Sequence, residues 1–324
     1  MVKKTKSLKK TNNTKTIGII VLCALISISA IFVTFLLPSE TSSPSETSSP
    51  SETSSPSETS SLMSHYIESL SKTHTNFVPQ NNPFFDHFLT QDDYFRYQNG
   101  MFAPNDGLKI TFKESYSDEF FENMISETNS IVIYPIFTSG AYQPNGFYDY
   151  YGGNCDESCI TDLPFEYVSF DFNASGIVAQ ILYELNYDFI TDVEVDKNPE
   201  ILKSYDNVIL LHNEYVTKNQ FDAISSHPNL IFLFPNALYA EIGVNYDDNT
   251  MTLIRGHNYP EKSIANGFGY EIEERFHDYE YDLDCLEWEF IKIENGYHLN
   301  CYPDAIITEN LEILIKLKEL LSSP

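Results

Sequence analysis

An open α/β fold, with a mostly parallel sheet and helices on both faces, is the fold class that the sequence predicts for residues 62–324. Four short runs are apolar at successive positions, as in strands buried on both faces, and helix-like stretches separate them. The runs are residues 131–137, 167–172, 207–211 and 230–234. Beyond Asn236, short runs around turn sequences predict antiparallel hairpins added to this sheet.

The helices of this fold have recognisable starts. Ser175 can cap a helix whose apolar positions 177, 181, 182 and 185 share one face. Thr217 can cap a second helix, which we expect to stop near Pro228 because the residue before a proline disfavours helical backbone. Residues 311–321 are amphipathic and predict a last helix that packs back on the sheet.

The amino-terminal part of the chain has the pattern of a signal anchor. Residues 17–37 are uncharged and strongly apolar, and at 1.5 Å per residue a helix of this length spans about 30 Å, the thickness of a bilayer core. Six lysines and no acidic residue precede the run, which places residues 1–16 in the cytoplasm. We therefore expect a single-pass protein of the cell membrane whose carboxy-terminal domain lies outside.

Residues 38–61 repeat the hexapeptide PSETSS four times. The repeat has no apolar side chain to offset the entropy of ordering, and its regular prolines interrupt helices and strands. We interpret it as a disordered stalk between the membrane helix and the domain 62–324.

The chain is strongly acidic, with a formal net charge of −28. Such a surface repels nucleic acid, so a DNA- or RNA-binding role is excluded. An acidic surface can attract cations, although solubility is the simpler explanation of the charge.

Four cysteines beyond the apolar run fall into two close pairs, Cys155 with Cys159 and Cys285 with Cys301. Four cysteines allow three pairings, and proximity favours these two. Zinc is the competing interpretation, but the sequence offers no C-x-x-C motif and no neighbouring histidine pair. Disulfides also agree with the exported location.

Ligands of such folds bind beyond the carboxyl ends of the parallel strands, and three predicted strands have polar residues there. An imidazole, a carboxylate, an amide and several hydroxyls would meet at this edge, which suits acid/base chemistry, metal binding or a small-molecule ligand. The candidate catalytic residues are His212, Glu214, Tyr215 and Asn236, and the candidate ligand-binding residues are Thr138, Tyr142 and Tyr239.

Residues 131–244 resemble the large subunit of N,N-dimethylformamidase, whose core is similar to class I glutamine amidotransferase and flavodoxin-like folds. The resemblance lies in the order of the segments TSGAY, GFYDYY, VSFDF, LNYDFITDVEV, HNEYV and PNALY. The HNEY and PNALY elements look like the family's histidine-x-glutamate-tyrosine-tryptophan and glycine-asparagine-x-x-tyrosine elements. In this chain Val216 stands in place of the tryptophan.

The resemblance implies a mononuclear iron, held by tyrosine and glutamate, that attacks a formamide. Tyr215 is the matching position for a tyrosine ligand and Glu214 for a carboxylate. The turn at Pro235 and Asn236, where an amidotransferase has its nucleophile, contains no cysteine or serine, and a G-x-S-x-G motif is absent from the chain. A serine or cysteine hydrolase is therefore disfavoured.

Two function classes remain after this reasoning. One is a hydrolase of small amides or other C–N compounds that uses a metal or an acid/base group at the predicted edge. The other is a noncatalytic surface module that binds a ligand on the same scaffold.

Overall fold

A six-stranded sheet forms the centre of the structure, a computed structural model that describes residues 58–79, 82–90, 94–96, 102–104, 107–115, 122–165, 175–271 and 284–322. The strand order is β14-β15-β11-β9-β6-β8. The strands are β6 (Ser130–Tyr134), β8 (Asp188–Thr191), β9 (Asn207–Leu210), β11 (Leu230–Phe232), β14 (Phe290–Ile293) and β15 (Gly296–Leu299). All neighbours pair in parallel except the edge strand β14, which is antiparallel to β15.

Both faces of this sheet are buried, because successive residues of each strand point to opposite sides. Val132 faces one apolar core, which includes residues of the helices α4 (Gly176–Glu184) and α7 (Glu312–Leu321). Ile133 faces the other core, which includes residues of α5 (Asp192–Lys197) and α6 (Lys218–Ser225).

Three further sheets make the prediction of one open, mostly parallel sheet wrong. The strands β10 (Tyr215–Val216), β12 (Ala240–Asn245), β13 (Thr250–Arg255) and β7 (Leu163–Pro164) form a mixed sheet in the order β10-β12-β13-β7. The strands β1 (Asn76–Val78), β2 (Phe85–Leu89) and β5 (Lys109–Phe112) form an antiparallel sheet, and β3 (Tyr94–Arg96) pairs with β4 (Phe102–Pro104). The molecule is therefore a mixed α/β structure. The hairpin β12–β13 was expected to extend the first sheet and instead belongs to a second one.

The sequence patterns place several elements correctly. β9 and α6 lie where they were predicted, and Thr217 forms a capping box with Gln220 at the start of α6. The strand expected over 131–137 ends at Tyr134, because Pro135 follows it and the helix α2 (Ile136–Ala141) begins. The strand predicted over 167–172 lies outside the described residues.

Residues 1–57, which comprise the predicted tail, the anchor and most of the stalk, also lie outside the described residues. Within the described ranges, no helix combines the length and the apolar character needed to cross a bilayer. The transmembrane helix predicted over residues 17–37 lies outside those ranges. The first described element is the helix α1 (Glu58–Thr73), and all described residues belong to one compact unit, Ser54–Pro324.

Both predicted disulfides are confirmed. Cys155 pairs with Cys159 at a Cα–Cα distance of 6.1 Å, in the loop after the helix α3 (Phe147–Tyr151). Cys285 pairs with Cys301 at 5.5 Å and encloses the hairpin β14–β15.

Candidate functional site

The candidate site is built around the carboxylate of Glu214, which lies between the end of β9 and the start of β10 and is completely buried. The Tyr142 hydroxyl donates to its Oε2 atom at 2.9 Å. The Tyr148 hydroxyl lies 3.1 and 3.2 Å from the two carboxylate oxygens. Two phenols from successive short helices thus meet one anion.

Two histidines complete the surroundings of this carboxylate. His212 Nε2 lies 3.2 Å from Glu214 Oε2, and His257 Nε2 lies 2.6 Å from Oε1. Burial alone would raise the pKa of Glu214, but the hydrogen bonds and charges of His212 and His257 hold that pKa well below its usual range. Glu214 is therefore an anion throughout the neutral pH range.

The two phenols form a stacked pair above the carboxylate. Their ring centroids are 4.0 Å apart, and the Tyr142 hydroxyl lies 2.6 Å from that of Tyr148. Burial, followed by the charge of Glu214, raises the pKa of both Tyr142 and Tyr148 well above the ordinary value for a phenol. Both hydroxyls are consequently protonated at neutral pH and act as donors. Tyr148 as a whole residue remains 39% exposed, so it forms the outer surface of the site.

The backbone that carries His212 and Glu214 is fixed by side chains from neighbouring elements. Thr138 Oγ1, on α2, accepts from the Glu214 amide at 3.0 Å and from the Tyr215 amide at 3.3 Å. Ser175 Oγ accepts from the His212 amide at 2.9 Å. Ser175 begins α4 as predicted, but its hydroxyl supports the site and does not cap the helix.

Several residues of this region have a left-handed backbone conformation. Among them are Ser175 at φ 62°, Leu238 at φ 62° and His257 at φ 50°. A positive φ is unfavourable for residues other than glycine, and most of all for a bulky one such as leucine. Strained backbone of this kind is concentrated at functional sites, where the surrounding contacts hold it.

Buried polar atoms near the carboxylate lack partners among the described residues. Both side-chain polar atoms of Asn213 and the Oδ1 atoms of Asn236 and Asp304 have no hydrogen bond. Burial raises the pKa of the Asp304 carboxyl to about 7, although the charge of His212 acts to lower it. Because buried polar groups are normally paired, such a group of unpaired atoms is typical of a place where a ligand or an ion binds.

The structure brings most of the predicted site residues together. Asn236 contacts the ring of His212, with 2.8 Å between the Asn236 amide nitrogen and His212 Nε2. The ring of Tyr239 packs on His257 at 4.5 Å between centroids. Thr138 serves as a backbone anchor, whereas Tyr142 contacts the carboxylate itself.

Tyr215, the predicted tyrosine ligand, lies in the same region and is part of the apolar core. Its ring packs edge-on against Phe147, with 4.9 Å between centroids, and is completely buried. Its hydroxyl makes no hydrogen bond to Glu214 among the described contacts. Tyr148 takes the position beside the carboxylate that the sequence analysis assigned to Tyr215.

Sequence reasoning missed Tyr148 and His257. Tyr148 belongs to the segment GFYDYY, which was noticed only as part of the resemblance, and any of its three tyrosines could have faced the site. His257 follows β13 in a loop with no motif around it. Only the fold, which returns this loop to the end of β9, brings the two histidines together.

The usual metal-binding combination is not present in the described part of the chain: no group of three or more histidine, cysteine, aspartate or glutamate side chains is arranged to hold an ion. Tyrosine is not part of that combination, and it supplies two of the oxygens here. In comparisons with known proteins, no protein-family model and no curated protein matches the chain.

Proposed function

We propose that the protein is a hydrolase of small amides or related C–N compounds, with its active centre at Glu214. The observation that carries the proposal is the meeting of two phenols and two imidazoles on one buried carboxylate, 2.6 to 3.2 Å from its oxygens. Structural carboxylates seldom collect so many titratable partners, and such groups are concentrated at active sites. The resemblance of residues 131–244 to N,N-dimethylformamidase supports the substrate class.

Amide hydrolysis needs a group that polarises the carbonyl and a group that protonates the departing amine. Glu214 is a poor general base, because its pKa is low and its oxygens are already paired. Its negative charge instead favours a cation beside it. His257 is 24% exposed, compared with 7% for His212, so His257 is the imidazole better placed to exchange protons with a substrate.

The iron implied by the resemblance fits this site through Tyr142, Tyr148 and Glu214. Their oxygens are separated by 2.6 to 3.2 Å, which is close to the spacing of about 2.9 Å between neighbouring ligands placed 2.0 to 2.1 Å from a small metal ion. Bound iron would act as a Lewis acid on the amide carbonyl and would lower the pKa of a bound water. Tyr215 does not belong to this set of oxygens.

Iron binding is the direct experiment. Purified full-length chain is loaded with iron, and metal content, proton release and visible absorption are measured. We expect about one iron per chain, release of protons from the two phenols, and the colour that iron(III) phenolates show. Formate release from N,N-dimethylformamide, as a probe substrate, measures the activity.

Two matched variants sharpen this experiment. Tyr148→Phe removes a phenol bonded to Glu214, and Tyr150→Phe removes a phenol from the same helix that lies beside Tyr151 and Tyr259. We expect loss of colour and of amide hydrolysis in Tyr148→Phe only. Equal behaviour of the two variants would refute the assignment of Tyr148, and a wild-type chain that hydrolyses no amide in any metal form would refute the hydrolase.

The second candidate is the noncatalytic binding module, which is favoured by the complete burial of Glu214 beneath its partners. In that case the carboxylate serves a cationic ligand or the architecture of the site. Binding of a metal or an organic ammonium without turnover of any amide would support this candidate.

A further inference from the structure

Asp192 is a buried carboxylate that the proposed chemistry does not use. It is the first residue of α5, follows β8 directly, and is only 1% exposed. Its Oδ2 atom accepts from the backbone amide of Phe137 at 3.0 Å. The backbone amides of Ile136 and Val193 also act on this carboxyl group, although its other oxygen, Oδ1, makes no hydrogen bond of its own among the described residues.

The helix α2, whose Phe137 amide donates this hydrogen bond, has no side-chain cap of its own. Pro135 occupies the position before α2 and supplies no side-chain hydrogen bond to the free amides of the first turn. A six-residue helix is too short to be stable by itself, and uncapped amides in a buried first turn are costly. Asp192 therefore does for α2, from a distant part of the sequence, what a capping residue normally does locally.

Two contacts to Glu214 depend on where α2 lies. Thr138, the residue after Phe137, accepts from the Glu214 amide, and Tyr142, the residue after the last turn, donates to the Glu214 carboxylate. One short helix thus holds both the backbone and the side chain of Glu214. A shift of α2 along its axis would move both contacts together.

We propose that Asp192 is a positioning residue of the Glu214 site, which holds α2 by its amino end and thereby fixes the contacts of Thr138 and Tyr142 with Glu214. The description of this centre as a site rests on the proposed function, but the positioning concerns the metal-free protein. Asp192 touches neither the carboxylate nor the two histidines directly.

The first experiment compares Asp192→Asn with Asp196→Asn. Asparagine keeps the shape of Asp192 but replaces one of its two oxygens with an NH2 group, which is a donor like the backbone amides of Phe137, Ile136 and Val193 around it. Asp196 lies on the same helix and is bonded to Thr217 and Tyr246, away from α2. Ring-nitrogen NMR signals of His212 and His257 in the metal-free chain report their contacts with Glu214. His227, bonded to the Tyr205 carbonyl, is the internal reference.

We expect the His212 and His257 signals to shift in Asp192→Asn, whereas the His227 signal stays in place and Asp196→Asn leaves all three unchanged. Unchanged His212 and His257 signals in a folded Asp192→Asn would overturn the proposal. Equal shifts in both variants would also overturn it, because they would indicate general loosening.

A second measurement needs no variant and remains decisive if Asp192→Asn fails to fold. Amide hydrogen exchange of the wild-type chain gives the opening free energy at Phe137 and Glu214. If α2 and Glu214 open together, the exchange protection factors of the Phe137 and Glu214 amides agree to within about tenfold. Much faster exchange at Phe137 alone would show that the amino end of α2 opens without disturbing Glu214. Both measurements use metal-free protein, so failure to bind iron would count against the proposed function and not against this inference.

Discussion

At the scale of single residues, several unfavourable features of the molecule lie close together. Glu214 is a fully buried anion, Ser175 and Leu238 have strained backbones, and the buried side chain of Asn213 has no hydrogen bond among the described residues. Each feature costs stability by itself. The hydrogen bonds from the donors around the Glu214 carboxylate offset that cost. The stability of the folded state therefore depends on the carboxylate and its donors together.

Replacing Glu214 with glutamine removes the negative charge to which the tyrosine and histidine side chains of the site are bonded. Hydrogen bonds to a charged group contribute about 1.5 to 3 kcal/mol, so we expect Glu214→Gln to lower the free energy of unfolding by about 2 to 4 kcal/mol at pH 7. The folded-state pKa of Glu214 lies below its unfolded value of about 4.3, so this contribution is fully present above pH 4.3 and is lost in acid.

Denaturant titrations of both proteins between pH 3 and pH 7 measure the difference. The gap between wild type and variant should narrow as the pH falls below about 4. A variant as stable as wild type at pH 7, or a gap that widens in acid, would show that the carboxylate is not held as an anion by its partners.

Whether a site residue could be predicted from the sequence depends on the pattern formed by the residues around it. His212 and Glu214 were found because they follow a strand whose apolar run is unmistakable, and such strand ends meet at one edge. Tyr148 and His257 stand on a five-residue helix and in a loop, where no periodic pattern fixes which side chain points inward. Their contact with Glu214 is purely tertiary.

At the scale of elements, α4 also closes the edge of the antiparallel sheet. Gln180 Oε1 accepts from the Ile110 amide at 3.1 Å, and Glu184 Oε2 accepts from the Phe112 amide at 3.0 Å. The helix side chains thus take the place of a neighbouring strand along β5. The apolar face of α4 predicts this helix from the sequence. The role of its polar face cannot be predicted, because β1, β2 and β5 are short and their patterns of apolar residues are weak.

The same helix makes stability depend on pH. Burial raises the pKa of Glu184 to about 7, although the Phe112 amide and Lys109 act to lower it. A raised folded-state pKa means that wild type loses stability as the pH rises from about 4.3 to 7. Glu184→Gln removes that loss, so its stability relative to wild type should increase by about 2 to 3 kcal/mol between pH 5 and pH 8. Melting curves at the two pH values measure this, and a difference independent of pH would contradict it.

The two disulfides close loops of unequal length, with sequence separations of 4 and 16. In the chain-entropy account, the longer loop stabilises more, by about 1 kcal/mol. We therefore expect the double substitution of Cys285 and Cys301 by serine to cost about 1 kcal/mol more than that of Cys155 and Cys159. Urea unfolding of the two variants gives the comparison. A larger loss for the Cys155–Cys159 variant would mean that this bridge holds α3 and its tyrosines.

At the scale of the whole molecule, the net charge of −28 dominates. Ion pairs such as Lys72 with Glu68 and Lys203 with Glu200 are exposed and contribute little. Self-repulsion should therefore outweigh them. Raising NaCl from 0.01 M to 1 M shortens the screening length from about 30 Å to about 3 Å, so we expect a higher melting temperature. A lower melting temperature in salt would show that attractive pairs prevail.

The position of β15 in the central sheet has a consequence for how the chain is made. β15 pairs with β11, more than sixty residues earlier, and so closely that a side chain at Gly296 would collide with the Leu230 carbonyl, 1.9 Å from the added carbon. While the ribosome is still producing the hairpin that carries β15, the nascent chain presents β11 with an unpaired, apolar edge. This interval is when the newborn protein is most exposed to association with other chains. A chaperone that protects this edge would have to act before β15 pairs with β11.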